Sequence, residues 1–471
     1  MAGDSDVVDA SEDLVQEGTR EVNITRMVER VRVTGGDRQV VSHAGVHLLG
    51  ELADRVALTS VYSAAVPWLG ERAPTHDRGR LLAQTAVMLA AGGRCVADMG
   101  ALRDQPMIFG EVASAPTIWR TFDAIDAGVL AALRAARARA RAHAWAAGAA
   151  PAEVTLDVDA SLVEIHSEQK KGSASHFKGG FGFHPMFCFL DATGEALAGI
   201  LRPGNAAANS GADQLAVVDL AIAQLPDTHR CGHHAGDDPG TVVHPILVRA
   251  DSAGAVHAFI VGLVARNCEY SISARVTNAL DAAIAAVPAD GWRSAITPTG
   301  EIRKGAHVAE LDLTVDGWPV GTRAIVRRER PHPGAQLRLW DHNGYRHQVT
   351  LTNQAGDAVM LELRHRRHGQ VENRIKNLKD CGLERFPFTS FTANAAWMEM
   401  VLAAADLLAW TQQLLFTGDL AIAEPRTLRY RILHVAGRLI RRARRVELRL
   451  PANWPWARDL LDAYQRLAAI A

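Results

Sequence analysis

Acidic side chains stand at three places in the sequence where an apolar strand or a regular helix is expected. Asp157 and Asp159 lie on one face of the predicted strand "TLDVDASLV", because alternate residues of a strand point to the same side. Asp251 follows the apolar strand "ILVRA", and Glu372 lies on the predicted helix "VENRIKNLKDCG". A carboxylate that is buried without a partner costs several kcal/mol, so these acids require partners or a function.

Three carboxylates of this kind, once brought together, are suited to bind divalent metal ions. Two aspartates from neighbouring strands and a glutamate from a packed helix can hold two Mg²⁺ ions, which prefer hard carboxylate oxygens. Two such ions clamp the attacking and leaving oxygens of a phosphoryl displacement. Plainer alternatives stay open: Asp251 can cap a helix or form a turn, and Glu372 can pair with Lys376, four residues further on.

Composition argues against several classes of protein. The chain has 471 residues, 48% of them hydrophobic, and a net charge of −1, which predicts a large core without an overall basic field. Its five cysteines form no Cys-x-x-Cys pair, which argues against a disulfide framework or a zinc ribbon. The acidic N-terminus lacks the apolar stretch of a signal peptide, and the longest apolar run contains acids. These features predict a cytoplasmic protein with no membrane partner.

Helical patterns dominate the first part of the chain. Residues 1–24 are acidic and predicted to be disordered, and residues 25–150 are predicted to form a helical DNA-binding region. Short helices joined by glycine turns, the last of them carrying Arg120, suit a helix-turn-helix-like reader, with a plain helical bundle as the alternative. An Ala/Arg-rich helix before residue 150 is interpreted as a solvated linker, and phosphate contact by its arginines is the alternative.

From residue 151 the pattern changes to alternating strands and helices, which is typical of a mixed α/β sheet. Residues 151–275 and 364–420 are predicted to form two parts of one core. The first part contains a strand at "FGFHPMFCFLD" and a helix with Ser210 as N-cap, and the second contains the helix of Glu372. Residues 276–363, with predicted strands such as "QLRLWD" (336–341), "RHQVTLTN" and "VMLELRH", are predicted to be a β-rich insertion. Residues 421–471 are predicted to be a basic helical region, in which segment 426–449 is an amphipathic helix that contacts the DNA backbone.

Five ordered motifs carry a family resemblance: "DVDASLVEIH", "GFGFHP", "LRPGNAAAN", "ILVRADSAG" and "RHGQVENRIKNLKDCGLERFPFTSFTANAAW". From about residue 154 to 410 the chain resembles the DDE transposases of bacterial insertion sequences, in the cut-and-paste branch. The resemblance implies an α/β fold with an RNase H-like mixed sheet and a β-rich insertion. An all-α region is expected before this sheet and a helical basic tail after it.

The resemblance implies roles for individual residues. Asp159, Asp251 and Glu372 are expected to be catalytic and to bind two divalent ions, Mg²⁺ or Mn²⁺. Asp159 is preferred to Asp157 because the family places Ser or Thr two residues after its first aspartate, as Ser161 stands here. In the family, the glutamate helix carries the signature Tyr, two residues, Arg, three residues, Glu, six residues, Lys. Glu372 and Lys379 match this signature, but His365 and His368 occupy its Tyr and Arg positions, a departure from the family pattern. The residues expected near the metal ligands are Asp157, Ser161, His365 and His368.

The activity implied is cleavage of phosphodiester bonds at the inverted-repeat ends of the element, followed by joining of the freed 3′-hydroxyls to target DNA. The expected partner is double-stranded DNA, bound by a homodimer in the bacterial nucleoid. Alternatives are a metal-dependent nuclease that does not join ends and a host-recruited DNA-binding protein. Trp292, Trp318 and Trp340 of the insertion are expected to stack on a displaced base or to pack in the interior. The residues predicted to contact DNA are Lys379, Arg202, Asn205, Arg364, Arg367, Lys376, Arg120, Arg441 and Arg442.

Overall fold

The computed structural model describes residues 37, 39–67, 75–312, 317–331, 334–335, 341, 343–442 and 445–470. Three predictions therefore lie outside the described residues: the disordered segment 1–24, nearly all of a strand predicted at 336–341, and the role of Trp340. None of the helices in the described part of the chain is long and apolar enough to cross a membrane.

Helices cover most of the N-terminal region and surround the sheet. In chain order they are α1 (Val46–Arg55), α2 (Leu58–Ala65), α3 (Arg78–Ala90), α4 (Gly100–Arg103), α5 (Pro106–Phe109), α6 (Ala115–Asp123), α7 (Ala127–Ala144), α8 (Gly211–Ile222), α9 (Asp227–Arg230), α10 (His257–Val264), α11 (Asn278–Ala286), α12 (Ala358–Arg366), α13 (Val371–Leu378), α14 (Phe391–Leu415), α15 (Pro425–Leu428) and α16 (Ala457–Ala468). The N-cap predicted at Ser210 is confirmed, because its side chain accepts a hydrogen bond from the Asp213 amide at 3.3 Å.

The strands form one large mixed sheet and two small ones within the described residues. In chain order they are β1 (Val40–Val41), β2 (Val154–Ala160), β3 (Val163–Glu164), β4 (Ala174–Ser175), β5 (Phe181–Phe183), β6 (Met186–Leu190), β7 (Ala196–Ile200), β8 (Ile246–Ala250), β9 (Glu269–Ala274), β10 (Arg293–Ile296), β11 (Ile302–Leu311), β12 (Arg323–Glu329), β13 (Arg346–Thr352), β14 (Gly437–Arg442) and β15 (Arg445–Arg449).

The large sheet has the strand order β10-β11-β12-β13-β9-β8-β2-β6-β7. Strand β2 pairs antiparallel with β6 and parallel with β8, which in turn runs parallel to β9. The predicted mixed α/β sheet is therefore confirmed. Strands β10 to β13 continue the same sheet in antiparallel pairing from the edge of β9, so the predicted insertion extends the sheet rather than forming a separate one.

A single apolar core joins the N-terminal helices, the central strands and the C-terminal region. Helix α14 crosses the centre of this core and packs against α3, α16 and β7. Its side chains are buried almost all round, as expected for a helix whose apolar residues are not confined to one stripe.

Buried ion pairs tie α7 to α14 and the sheet. Arg137 donates to Glu399 and Asp406, each at 2.6 Å, and Arg141 donates to Glu195 at 2.8 Å and also to Asp406. All five side chains have at most 1% exposure. The interpretation of α7 as a solvated linker is therefore wrong for the face that carries Arg137 and Arg141, because acids in distant parts of the chain neutralise these two arginines.

Three predicted elements differ from the structure. The segment "VMLELRH" is part of helix α12 rather than a strand, because Asp357 caps its first turn by accepting from the amides of Val359 and Met360. The single strand predicted at "FGFHPMFCFLD" divides into β5 and β6, which lie in different sheets.

The predicted basic helix 426–449 is the third difference. Helical structure ends near Leu433, and the chain then forms the antiparallel pair β14–β15, called here the C-terminal hairpin, with β1 alongside. Leu439 and Leu448 are paired across the two strands, and the residues around them are mainly charged. This spacing of the apolar residues is the period of a strand rather than that of a helix. Arg429 is buried and donates to the carbonyl of Ala90 at 2.8 Å, so it belongs to no basic face.

We expect Asp406→Ala to lower the free energy of unfolding by about 3–5 kcal/mol, because Arg137 and Arg141 would remain buried without their shared carboxylate. Urea unfolding followed by circular dichroism measures this change as a lower midpoint. The control is Asp462→Ala, which removes an exposed i,i+4 partner of Arg458 and should leave the midpoint unchanged. Equal midpoints for the parent and Asp406→Ala would contradict the structural role of this cluster.

Candidate active site

Asp159 and Asp251 are neighbours at the carboxyl ends of two parallel strands. Val158 of β2 pairs with Ala250 of β8, so the next residue on each strand is an aspartate at the same level. Neighbouring strands are about 4.8 Å apart, which places the two aspartates side by side on the edge where ligands bind in open α/β sheets. The predicted proximity of these two acids is confirmed.

Glu372 approaches Asp159 from helix α13. Val371, Ile375 and Leu378 form the buried stripe of this helix, so it lies against β2 with Glu372 on an exposed face. Between the strand and the helix is a cleft of about 440 Å³, called here the carboxylate cleft. The cleft is lined by Asp159, Ala160, Ser161, Glu372, Ile375, Lys376, Lys379, Asp380, Glu384 and Arg426.

The three acids affect one another electrostatically. Burial, and to a smaller extent the carboxylates of Asp251 and Glu372, raise the pKa of Asp159 to about 6. A hydrogen bond from the Ala160 amide, 2.7 Å away, opposes the rise in pKa. A cation bound between these carboxylates would offset their mutual repulsion and favour the ionised form of Asp159.

The alternatives for Asp251 and Glu372 have different outcomes. The side chain of Asp251 does cap a short 3₁₀ turn, because it accepts a hydrogen bond from the Ala253 amide at 2.9 Å. Lys376 does not pair with Glu372; its ammonium lies 3.0 Å from Glu424 instead. Within the described part of the chain Glu372 has no hydrogen bond or ion pair, so its carboxylate is free to bind a ligand.

The donor chemistry fits Mg²⁺ or Mn²⁺, because all three candidate ligands are carboxylates at one edge of the sheet. As they stand, however, no three acidic, histidine or cysteine side chains among the described residues converge closely enough to hold a metal ion.

Asp157 has a different environment from Asp159, although both point to the same side of β2. It is fully buried and accepts two hydrogen bonds from Arg249, at 2.8 and 2.7 Å, and one from His368 Nδ1 at 2.9 Å. Burial acts to raise the pKa of Asp157, but these hydrogen bonds outweigh it and hold the pKa below its usual range. Asp157 is therefore an ionised structural partner rather than a free carboxylate.

Asp191 extends this cluster to the helices. Its carboxylate lies 3.1 Å from Arg249, 3.0 Å from Arg367 and 3.1 Å from Arg374. We call the connected set the Asp157–Arg249 network; its members are Asp157, Asp191, Arg249, Arg367, His368 and Arg374. The network ties β2 and β8 to the helical segment that carries Glu372.

The two histidines at the signature positions differ in role. His365 lies between the hydroxyls of Ser271 and Ser273, each 2.9 Å away, and burial lowers its pKa to about 3, so its ring is neutral. His368 belongs to the Asp157–Arg249 network through Nδ1, and its buried Nε2 has no partner among the described residues. Ser161 lines the carboxylate cleft, as expected of a residue near the metal ligands.

The residues predicted to contact DNA are not equally accessible. Arg202 is 4% exposed and donates to Asp213 at 2.8 Å and to the His184 carbonyl at 3.0 Å, so it holds its own loop and cannot reach DNA as predicted. Arg367 is exposed but paired with Asp191. Lys379 lines the carboxylate cleft without a partner among the described residues. Asn205, Arg120, Arg364, Arg441 and Arg442 are exposed.

The tryptophans of the insertion are held in the protein. Trp292 is half-buried, with the guanidinium carbon of Arg328 4.0 Å from the centroid of its ring. Trp318 packs against both the main core and the smaller core of the insertion. These contacts support the packing alternative for both residues.

Sequence reasoning missed several charged residues at the site. Arg249 is visible in the sequence as an arginine inside the apolar strand "ILVRA", and its cross-strand partner is Asp157. Asp191, Arg374 and the Arg426–Asp380 pair carry no comparable local signal, because their partners are distant in the chain.

We expect Asp157→Ala to lower the free energy of unfolding by about 3–5 kcal/mol, because Arg249 would lose both of its hydrogen bonds to this carboxylate in a buried site. Because the pKa of Asp157 is lowered in the folded state, its contribution is present above the usual aspartate pKa and is lost as the pH falls through the folded pKa. Urea midpoints measured from pH 7 downward should therefore fall less steeply in the variant than in the parent. Asp462→Ala, a change at an exposed acid of α16, is the control and should retain the parent's midpoint at pH 7.

Comparison with known proteins identifies the family of the chain. The family model described as "Transposase DDE domain group 1" matches residues 25–471. No curated protein matches the chain. A solved structure of the piggyBac transposase synaptic complex with hairpin DNA is similar over 83% of this chain and 79% of that one, at 8% identity and a TM-score of 0.43, too low to carry an argument. On the match over residues 25–471, the chain belongs to the transposase DDE domain group 1 family and is a DDE-type transposase.

Proposed function

We propose that the protein binds the inverted-repeat ends of a bacterial insertion sequence, cleaves phosphodiester bonds there and joins the 3′-hydroxyl ends to target DNA. The observation that carries the proposal is the side-by-side placement of Asp159 and Asp251 at two strand ends, facing an unpaired Glu372. The strand order β7-β6-β2-β8-β9, with β2, β8 and β9 parallel, supports an RNase H-like core.

Asp159, Asp251 and Glu372 would hold two divalent ions in this proposal. When bound, the ions supply an activated water and stabilise charge on the attacking and leaving oxygens. Lys379 would bind a DNA phosphate, and its position in the lining of the same cleft, seven residues after Glu372 in the chain, supports this role. The Asp157–Arg249 network keeps the two strand ends and α13 in register while DNA binds.

DNA outside the cleft would contact exposed basic side chains. Arg441 and Arg442 of the C-terminal hairpin and Arg120 of α6 are exposed, as are Arg364 and Asn205. Cutting both ends of an element together requires two copies of the catalytic site, so we propose a homodimer in the DNA complex. The nucleoid is then the place where the protein acts.

We expect Asp159→Asn, Asp251→Asn and Glu372→Gln each to reduce Mg²⁺-dependent cleavage of a terminal-repeat duplex by about a thousandfold or more. Charge stabilisation by bound ions amounts to several kcal/mol, and 1.4 kcal/mol corresponds to a factor of ten in rate. The measurement is the rate of strand cleavage on labelled DNA, with strand-transfer products scored separately to distinguish joining from cutting. Glu384→Gln, a change in the wall of the same cleft, is the control and should stay within a few-fold of the parent.

Metal binding gives a second measurement that does not depend on activity. Mg²⁺ should raise the melting temperature of the parent but not that of Asp159→Asn, because the ion relieves the repulsion among the three carboxylates. Full cleavage activity in Asp159→Asn would sink the metal-site proposal.

The logarithm of DNA affinity falls linearly with the logarithm of salt concentration, and each phosphate contact on duplex DNA contributes about 0.9 to the steepness of that fall. We expect Arg441→Gln and Arg442→Gln each to make the fall shallower by about this amount. Fluorescence anisotropy at several salt concentrations measures this slope. Arg458→Gln, a change at a 92% exposed arginine on α16, is the control and should leave the slope unchanged. An unchanged slope in both hairpin variants would exclude the C-terminal hairpin from the DNA contact.

A further inference from the structure

The turn between β4 and β5 presents an aromatic ring to solvent. Phe177 is 78% exposed, and the ammonium of Lys178 lies 5.8 Å from the centroid of its ring. Exposure of a whole phenylalanine side chain is unfavourable because the hydrophobic effect favours its burial. Single exposed apolar residues are common on protein surfaces, so a role for this ring depends on how it is held and on what surrounds it.

Backbone hydrogen bonds hold the turn in one conformation. The amide of His176 donates to Gly180 O at 2.9 Å, and the amide of Gly179 donates to His176 O at 3.0 Å. Gly179 has a φ of +83°, which a residue with a side chain adopts only with strain. The buried ring of His176 lies beneath the turn and accepts from the Lys178 amide at 3.3 Å. Phe177 is therefore presented on a preorganised turn.

The base of this turn is fixed to β3, the short strand that follows the strand of Asp159. Strand β5 pairs with β3 through Phe183 and Val163, and Val163 follows Asp159 by four residues. Phe183 packs edge-to-face against Phe386, with ring centroids 5.1 Å apart, in the segment after the glutamate helix. A Cβ on Gly204 would lie 2.3 Å from Ala174 O, so the loop beneath also touches β4 closely. The position of the turn relative to the carboxylates is thus set on three sides.

A second cleft, of about 700 Å³, lies between the turn and the carboxylate cleft. The two clefts share the lining residues Lys379 and Glu384, so they are adjacent, and Lys178 of the turn also lines the second cleft. The walls of the second cleft combine apolar groups, cations and two acids, Glu164 and Glu384. Its apolar and cationic parts suit a nucleotide with its base on the apolar side and its phosphate on the cations. The apolar lining includes Leu162, Val163, Ile165, Phe386 and Pro387, and the cationic lining consists of Lys170, Lys178, Lys379 and Arg385.

We propose that Phe177 is a wedge that stacks on a DNA base unstacked next to the phosphate in the carboxylate cleft. Lys178 and Lys379 hold the phosphates on either side, and the second cleft receives the displaced nucleotide. Aromatic side chains bind bases of any sequence because every base has a π-face, and apolar wedges are a common means of opening a base step. This inference rests on the proposed function, since its ligand is the DNA that the active site cleaves.

The test uses the full chain and duplexes of the terminal repeat with 2-aminopurine in turn at each base near the cleavage site. This base fluoresces when it is unstacked. We expect binding of the parent to raise the fluorescence severalfold at one position, Phe177→Ala to abolish the rise, and Phe177→Trp to retain it. We also expect Phe177→Ala to weaken DNA binding about tenfold, as for the loss of one stacked base. Ile422→Ala, a change at another exposed apolar residue, is the control and should behave as the parent does.

The outcomes distinguish a failure of the Phe177 wedge from a failure of the proposed function. Phe177 is exposed, so its variants should melt with the parent, and any difference in fluorescence then reports on DNA. A parent that binds and cleaves DNA, with the same fluorescence rise in Phe177→Ala, overturns the wedge and leaves the transposase chemistry standing. A parent that neither binds nor cleaves terminal DNA overturns both.

Discussion

The ion pair between Asp157 and Arg249 is the interaction on which the geometry of the active site depends. It joins two parallel strands at directly paired positions, and both side chains are fully buried. Removing two charges from water costs several kcal/mol per ion, which only excellent geometry and additional hydrogen bonds offset. Here both carboxylate oxygens are used, and Arg249 also donates to the Arg364 carbonyl at 2.6 Å, which extends the constraint to α12.

The network fixes the candidate ligands because its members stand a few residues from each of them. Asp157 precedes Asp159 by two residues, Arg249 precedes Asp251 by two, and His368 precedes Glu372 by four. Two acids on the same side of one strand therefore have opposite electrostatics. The pKa of Asp157 is lowered by its partners, whereas the pKa of Asp159 is raised by burial and by the other carboxylates. One charge is satisfied by the fold, and the other is left for a ligand.

What could be predicted from the sequence follows from how local each signal is. The edge shared by Asp159 and Asp251 was predictable because both end apolar strands, and α13 because of its apolar stripe. The burial of Arg137 was not, since its partners Glu399 and Asp406 lie more than 250 residues away. The C-terminal hairpin was mistaken for a helix because its arginines suit either period, and pairing with β1, some 400 residues earlier, decides the outcome.

Ion pairs also connect the glutamate helix to the C-terminal region in both directions. Lys376 pairs with Glu424, while Arg426 donates to Asp380 at 2.6 Å, so each segment supplies one acid and one base. Three of these four side chains are about half-exposed or more, and such pairs are worth only about 0–1 kcal/mol. Asp380 is only 5% exposed and needs Arg426 as its partner, but a phosphate in the cleft can replace the exposed Glu424 at Lys376 at little cost. Because both pairs border Glu372, this exchange of Glu424 for a phosphate would loosen the C-terminal segment. It would at the same time change the charge beside Glu372.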